Sequence, residues 1–126
     1  MFEVTVRKSF EASHTLRNYS QGQEKPHQHS WECAVTIAAS ALDPAGCAMD
    51  FVEVDQALAQ VLAPLSQKAL HETEIFRQKS PSAENIAHYI YRSLSETIND
   101  REQRVTRVTV WEDPDHSASY TCDQKP

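Results

Sequence analysis

Residues 27–37 read His27-Gln28-His29-Ser30-Trp31-Glu32-Cys33-Ala34-Val35-Thr36-Ile37. From Trp31 onward, Trp31, Cys33, Val35 and Ile37 fall on one face and Glu32, Ala34 and Thr36 on the other. That is the period-two alternation of a half-buried strand. His27 and His29 open it, and side chains two apart leave the same face, so both imidazoles can reach one point. The N-terminal segment alternates too, with Phe2, Val4 and Val6 opposed to Glu3, Thr5 and Arg7 in a strand running toward His14. Antiparallel pairing of the two strands would set His14 beside His27 and His29. Three neutral imidazoles converging in this way make a zinc site with one open position for water or substrate. Histidines are also common at exposed loop–strand junctions, so the His-x-His pair alone leaves both readings open.

Between these strands, Arg17 to Pro26 is polar and carries Asn18, Ser20, Gly22 and Pro26, which reads as a loop. It is longer than a tight hairpin needs, and long ordered loops often carry function. Leu42-Asp43-Pro44-Ala45-Gly46 is a turn. From Asp50 the period becomes helical through Phe51, Val54, Leu58, Val61 or Leu62, and Leu65, with Asp50 as N-cap. A second helix is expected to start at Ser80-Pro81, Ser80 capping and Pro81 at the first helical position. Ile86, Ile90, Leu94 and Ile98 form its apolar stripe. Strands return at Val105 to Trp111 and Ser117 to Cys122, around a turn at Asp113-Pro114-Asp115. The order ββααββ predicts one α+β domain over residues 1–126, a four-stranded antiparallel sheet with two helices on one face. Such a sheet has two open edges, which oligomerisation can cover.

A chain of 126 residues with 40% hydrophobic and 24% charged residues is ordinary for a soluble domain. A net charge of −6 argues against general nucleic-acid binding, which needs a basic surface. It leaves room for a small anionic ligand beside a metal. Cys33, Cys47 and Cys122 are widely spaced and suit a reducing compartment better than a disulfide framework. No signal-peptide core and no run of roughly 20 apolar residues is present, so a cytoplasmic protein without membrane spans is expected.

Five segments together carry a family resemblance. Phe10-Glu11-Ala12-Ser13-His14-Thr15-Leu16 resembles F-x-A-x-H-x-L, and His27-Gln28-His29 resembles H-G-H. Gly46-Cys47-Ala48-Met49-Asp50-Phe51 is similar to G-M-V-x-D-F, and Pro81-Ser82-Ala83-Glu84-Asn85-Ile86-Ala87 to P-T-x-E-N-x-A. Val108-Thr109-Val110-Trp111-Glu112, followed by Tyr120, resembles V-x-V-x-E…Y. In order and spacing they are those of the 6-pyruvoyl-tetrahydropterin synthase / 6-carboxytetrahydropterin synthase family. The resemblance implies a T-fold whose sheets join edge to edge into a barrel, usually a homohexamer built from two trimers. It implies zinc on His14, His27 and His29, and Glu112 anchoring the amino-pyrimidine edge of a pterin. Ser82, Ala83 and Glu84 would lie near the same ring across a subunit boundary.

Two departures stand out. The family's catalytic cysteine, four residues before H-G-H, is Gln23 here, and an amide is no general base. The family's L-D-H-x-x-L-N reads Leu65-Ser66-Gln67-Lys68-Ala69-Leu70-His71, so its Asp-His pair becomes Ser66 and Gln67. Cys33, inside the strand, is a poor substitute. Glu24 sits beside the lost cysteine and is either a general base near the metal or a solvated loop residue. Some relatives with glutamate near this place cleave the dihydroneopterin side chain. His71 and His116 are further candidate proton carriers. The readings are a zinc-dependent lyase or synthase acting on 7,8-dihydroneopterin or its triphosphate, a non-catalytic module binding a pterin-like ligand, or a structural relic. Intact metal positions and Glu112 argue against the last. Arg17 and Lys25, near the loop, are the cations available to a phosphate.

Overall fold

The computed structural model describes residues 1–19, 22 and 25–122. Two strands of 13 residues form its spine, β1 (Phe2–His14) and β2 (His27–Ala39). They pair antiparallel in one unbroken register, from Phe2 opposite Ala39 to His14 opposite His27. Their shared apolar alternation fixes that register, since a slip of one residue would turn every core side chain to the other face. Val6, Phe10, Ala12 and His14 of β1 are buried with Trp31, Cys33, Val35 and Ile37 of β2. Phe10 stacks on Trp31 at 6.1 Å between ring centroids, and the Trp31 indole N–H donates to the Ala12 carbonyl at 3.1 Å.

Helix α1 (Phe51–Leu62) starts as expected, with the Asp50 carboxylate accepting the Val52 N–H at 2.9 Å. Phe51 is 59% exposed and does not join the buried stripe of Val54, Leu58, Val61 and Leu62. A fifth strand, β3 (Lys68–Ala69), runs parallel to Ala12 and Ser13 of β1 and corrects the expected four-stranded antiparallel sheet to a mixed one. Two residues are too few to show a period. The pairing begins where Gln67, at a left-handed φ of 62°, donates its N–H to the Glu11 carbonyl at 2.6 Å. A single 3-10 turn, Leu70–Glu72, follows.

Helix α2 (Ala83–Ile98) presents Ile86, Ala87, Ile90, Leu94 and Ile98 to the sheet. Its cap is Ser82, whose hydroxyl accepts the Asn85 N–H at 3.2 Å, rather than Ser80. Pro81 therefore precedes the helix, leaving its carbonyl available outside it. Strands β4 (Gln103–Asp113) and β5 (His116–Thr121) complete the order β3-β1-β2-β4-β5. Both helices cover one face, and the core lies between them and the sheet. Among the described residues β1 meets β3 only at Ala12 and Ser13, so the rest of that edge, like the outer edge of β5, is available for lateral pairing. No helix among the described residues is long and apolar enough to cross a membrane.

Ile90 has no exposed surface and sits between α2 and the sheet. Ile90→Ala should lower unfolding stability by about 2–5 kcal/mol, read by urea titration, because the removed atoms leave a cavity.

Candidate metal centre and adjoining hollow

The register that places His14 opposite His27 puts three imidazoles at one corner of the helix-covered face. Ring centroids are 4.3 Å apart for His14 and His27, 4.5 Å for His27 and His29, and 5.3 Å for His14 and His29. His14 Nδ1 donates to the Pro81 carbonyl at 2.7 Å, and His27 Nδ1 to the Lys25 carbonyl at 3.1 Å. Carbonyls only accept, so these bonds place each ring's proton on Nδ1 and direct the Nε2 lone pair inward. The two Nε2 atoms face each other at 2.7 Å. Two lone pairs at that distance repel unless a cation or proton lies between them. His29 Nε2 is buried without a hydrogen-bond partner among the described residues.

Glu112 completes the group. Its Oε1 lies 3.0 Å from His14 Nε2 and its Oε2 3.9 Å from His29 Nε2. One donor atom from each of His14, His27, His29 and Glu112 falls within 4.8 Å of the others, so the four form a group able to hold a metal ion. Burial holds the pKa of His14 below its ordinary value of 6.5, against the bond to Pro81. The neighbouring His27 and His29 lower it further, and Glu112 raises it. The net direction favours the neutral, ligating form of the ring. Imidazole donors, outward N–H bonds and an orphaned inward nitrogen together fit zinc.

The carbonyl that orients His14 is held by the start of α2. Ser80 Oγ accepts the Arg17 N–H at 2.9 Å, and the Ser80 carbonyl accepts from Asn85 Nδ2 at 2.8 Å. Pro81 is fixed between this clamp and the Ser82 cap. Sequence reading missed its part in the site, although the Pro81-to-Asn85 run was the available signal. Arg17, a candidate phosphate contact, is engaged elsewhere: its guanidinium donates to the carbonyls of His71 at 2.7 Å and Phe76 at 3.2 Å.

Beside the histidines lies a hollow of about 210 Å³ lined by Ser82, Ala83, Glu84, Glu112 and His116, with Leu16 and the start of β5. Ser82, Ala83, Glu84 and Glu112 thus border one hollow of this chain. His116 Nδ1 lies 2.8 Å from Asp113 Oδ1. That hydrogen bond, with the carboxylate's charge, raises the His116 pKa and lowers that of Asp113. His71 is not among the residues lining the hollow. It stands on the 3-10 turn with Nε2 3.8 Å from Glu72 and Nδ1 buried without a hydrogen-bond partner among the described residues. Glu24 and Gln23 lie outside the described residues. Cys33 is buried and desolvation pushes its thiol up to about 12, so no thiolate forms there near neutrality.

The architecture and the histidine corner define an α+β domain with a candidate metal centre at the end of its central strands. A family model described as 6-pyruvoyl tetrahydropterin synthase matches residues 3–123, and the chain belongs to that family. Its fold is that of solved 6-pyruvoyl tetrahydropterin synthases. The Caenorhabditis elegans protein superposes with a TM-score of 0.78 at 22% identity, over 98% of each chain. The Plasmodium falciparum protein gives 0.76 at 18% identity, over 94% of this chain and 96% of that one. The Plasmodium vivax protein gives 0.76 at 20%, over 98% of each, and is also known in forms with a catalytic glutamate changed to cysteine or alanine. No curated protein matches the chain.

The exposed His116–Asp113 pair makes a pH prediction. By NMR titration His116 should show a midpoint above about 6.5, and Asp113→Asn should bring it back down. The raised histidine pKa means its contribution to stability is full below the unfolded value and fades as pH rises through the folded one. The lowered Asp113 pKa means its contribution is full above the unfolded carboxylate value and fades as pH falls. The pair therefore operates between the ordinary carboxylate and histidine ranges.

Proposed function

We propose that this chain is a zinc-dependent enzyme that processes a pterin, 7,8-dihydroneopterin or its triphosphate. The observation that carries the proposal is the inward convergence of His14, His27 and His29 beside a carboxylate-bearing hollow. The three imidazoles would hold the ion. Bound there, zinc would supply Lewis acidity that lowers the pKa of substrate hydroxyls.

The chain's own residues would do the rest. The Glu112 carboxylate would accept hydrogen bonds from the amino-pyrimidine edge, and Ser82, Ala83 and Glu84 would flank the ring. These groups border the same hollow, so one ligand can meet them together. Pro81 would keep His14 in its ligating tautomer by accepting the Nδ1 proton. Glu24 is assigned as general base, withdrawing a proton from the substrate's side chain. Gln23 cannot do so, and Ser66 and Gln67 carry no ionisable group to replace the family's Asp-His pair. The Plasmodium vivax enzyme, in which a glutamate is catalytic, gives precedent for this choice. His116, whose pKa Asp113 raises at the rim, is the candidate proton donor, and His71 a more distant one. A homohexamer of paired trimers, joined through the open edges of β1 and β5, would enclose the hollow further.

One observation favours a second reading: the family's acid–base positions are replaced while the metal residues persist. A module that binds the pterin without turning it over would have this pattern. Incubating zinc-loaded protein with dihydroneopterin and with its triphosphate, followed by mass spectrometry, separates the two. Turnover is expected, with Glu24→Gln lowering kcat about 100-fold or more, in the range set by loss of a general base. Binding of either compound without turnover would overturn the enzymatic proposal in favour of the binding module.

A further inference from the structure

Glu112 stands in two places at once. As an anchor for a heterocycle its carboxylate should point into the hollow, yet its oxygens straddle the imidazoles at 3.0 Å from His14 Nε2 and 3.9 Å from His29 Nε2. The His14 proton is committed to Pro81 on the far side of the ring, so what faces Oε1 is a lone pair. An acceptor facing an acceptor at 3.0 Å repels unless a cation sits between them. Tetrahedral zinc with bonds near 2.0–2.1 Å sets neighbouring ligand atoms about 3.3 Å apart. The His14–His27 separation of 2.7 Å and the His14–Glu112 separation of 3.0 Å are about 0.6 Å and about 0.3 Å shorter than that edge.

We propose that Glu112 is the fourth metal ligand of the ligand-free protein, and that an incoming heterocycle exchanges it from the metal into the hollow. The inference rests on the reading that His14, His27 and His29 hold a metal, and deepens the role given to Glu112 there. A centre with four protein ligands is closed, and one with three is open. The carboxylate needs no long path between its two positions, because it borders the hollow while lying against the imidazoles. An amino-substituted ring that offers it paired N–H donors would draw it off the metal and free that position for the ring's own side chain. The ion would then be exposed only when a ligand with the right donor edge is present. Water and adventitious anions would meet a closed site. Trp111, next in the chain, lies opposite Glu32 of β2.

Cobalt substitution tests this without reference to turnover. Wild-type protein and Glu112→Gln would each be loaded with one cobalt ion per chain, and their visible spectra recorded with and without azide. The expected result is a wild-type spectrum that azide leaves unchanged, and a Glu112→Gln spectrum that differs from it and shifts with azide. Adding dihydroneopterin to the wild type should move its bands. Identical spectra for the two proteins, with the same azide response, would overturn the exchange while leaving the histidine site standing. Failure of both proteins to take up cobalt, with native circular dichroism, would overturn the metal reading itself and the exchange with it. Should Glu112→Gln not fold, Glu112→Asp, whose carboxylate is one methylene shorter, should show the same gain of azide sensitivity.

Discussion

The unbroken pairing of β1 with β2 is the constraint on which everything else depends. Thirteen consecutive residues of each strand are matched, and the last match sets His14 against His27. The same alternation that buries Phe10 and Trp31 in the core sends His14, His27 and His29 to that side of the sheet. Placement of the histidine corner and core packing are therefore one specification. A slip in register would cost the hydrophobic core and the histidine corner together.

Around that corner the molecule uses backbone as much as side chain. Pro81 and Lys25 supply the carbonyls that take the outward ring protons. Pro81 is positioned by Arg17, Ser80 and Asn85, so the start of α2 orients a residue at the end of β1. This explains why a run such as Pro81-Ser82-Ala83-Glu84-Asn85 can matter to the centre beyond the residues that border the hollow. Arg17 contributes through its backbone N–H and through the carbonyls its guanidinium gathers.

Much of this was legible in the chain. Period-two alternation located β1 and β2, and the change of period at Asp50 located α1, because both signals report burial of one face. Strands were also expected at Val105 to Trp111 and Ser117 to Cys122, where β4 and β5 lie. The histidine trio followed from side-chain direction on paired strands. What was not legible has physical reasons. Strand β3 is two residues long and is nucleated by a left-handed Gln67, which no period announces. Ser80 and Ser82 are equally good caps by type, and only the bonds they make assign them: Ser80 takes the distant Arg17 N–H and Ser82 the local Asn85 N–H. Phe51 fits the apolar stripe of α1 by spacing but is the first residue of the helix and stays exposed. The approach of Glu112 to the imidazoles depends on how β4 lies beside β2, which the sequence pattern leaves open.

Within the family shown by residues 3–123, His14, His27, His29 and Glu112 come together as a group able to hold a metal ion. That this group binds zinc is the claim on which the proposed function depends. Metal content by elemental analysis of purified protein, for the wild type and for His29→Ala, addresses it most directly. One zinc per chain in the wild type, lost in His29→Ala while the circular dichroism stays native, is the predicted result. A wild type without zinc even after loading, or a His29→Ala protein that retains it in full, would contradict the account.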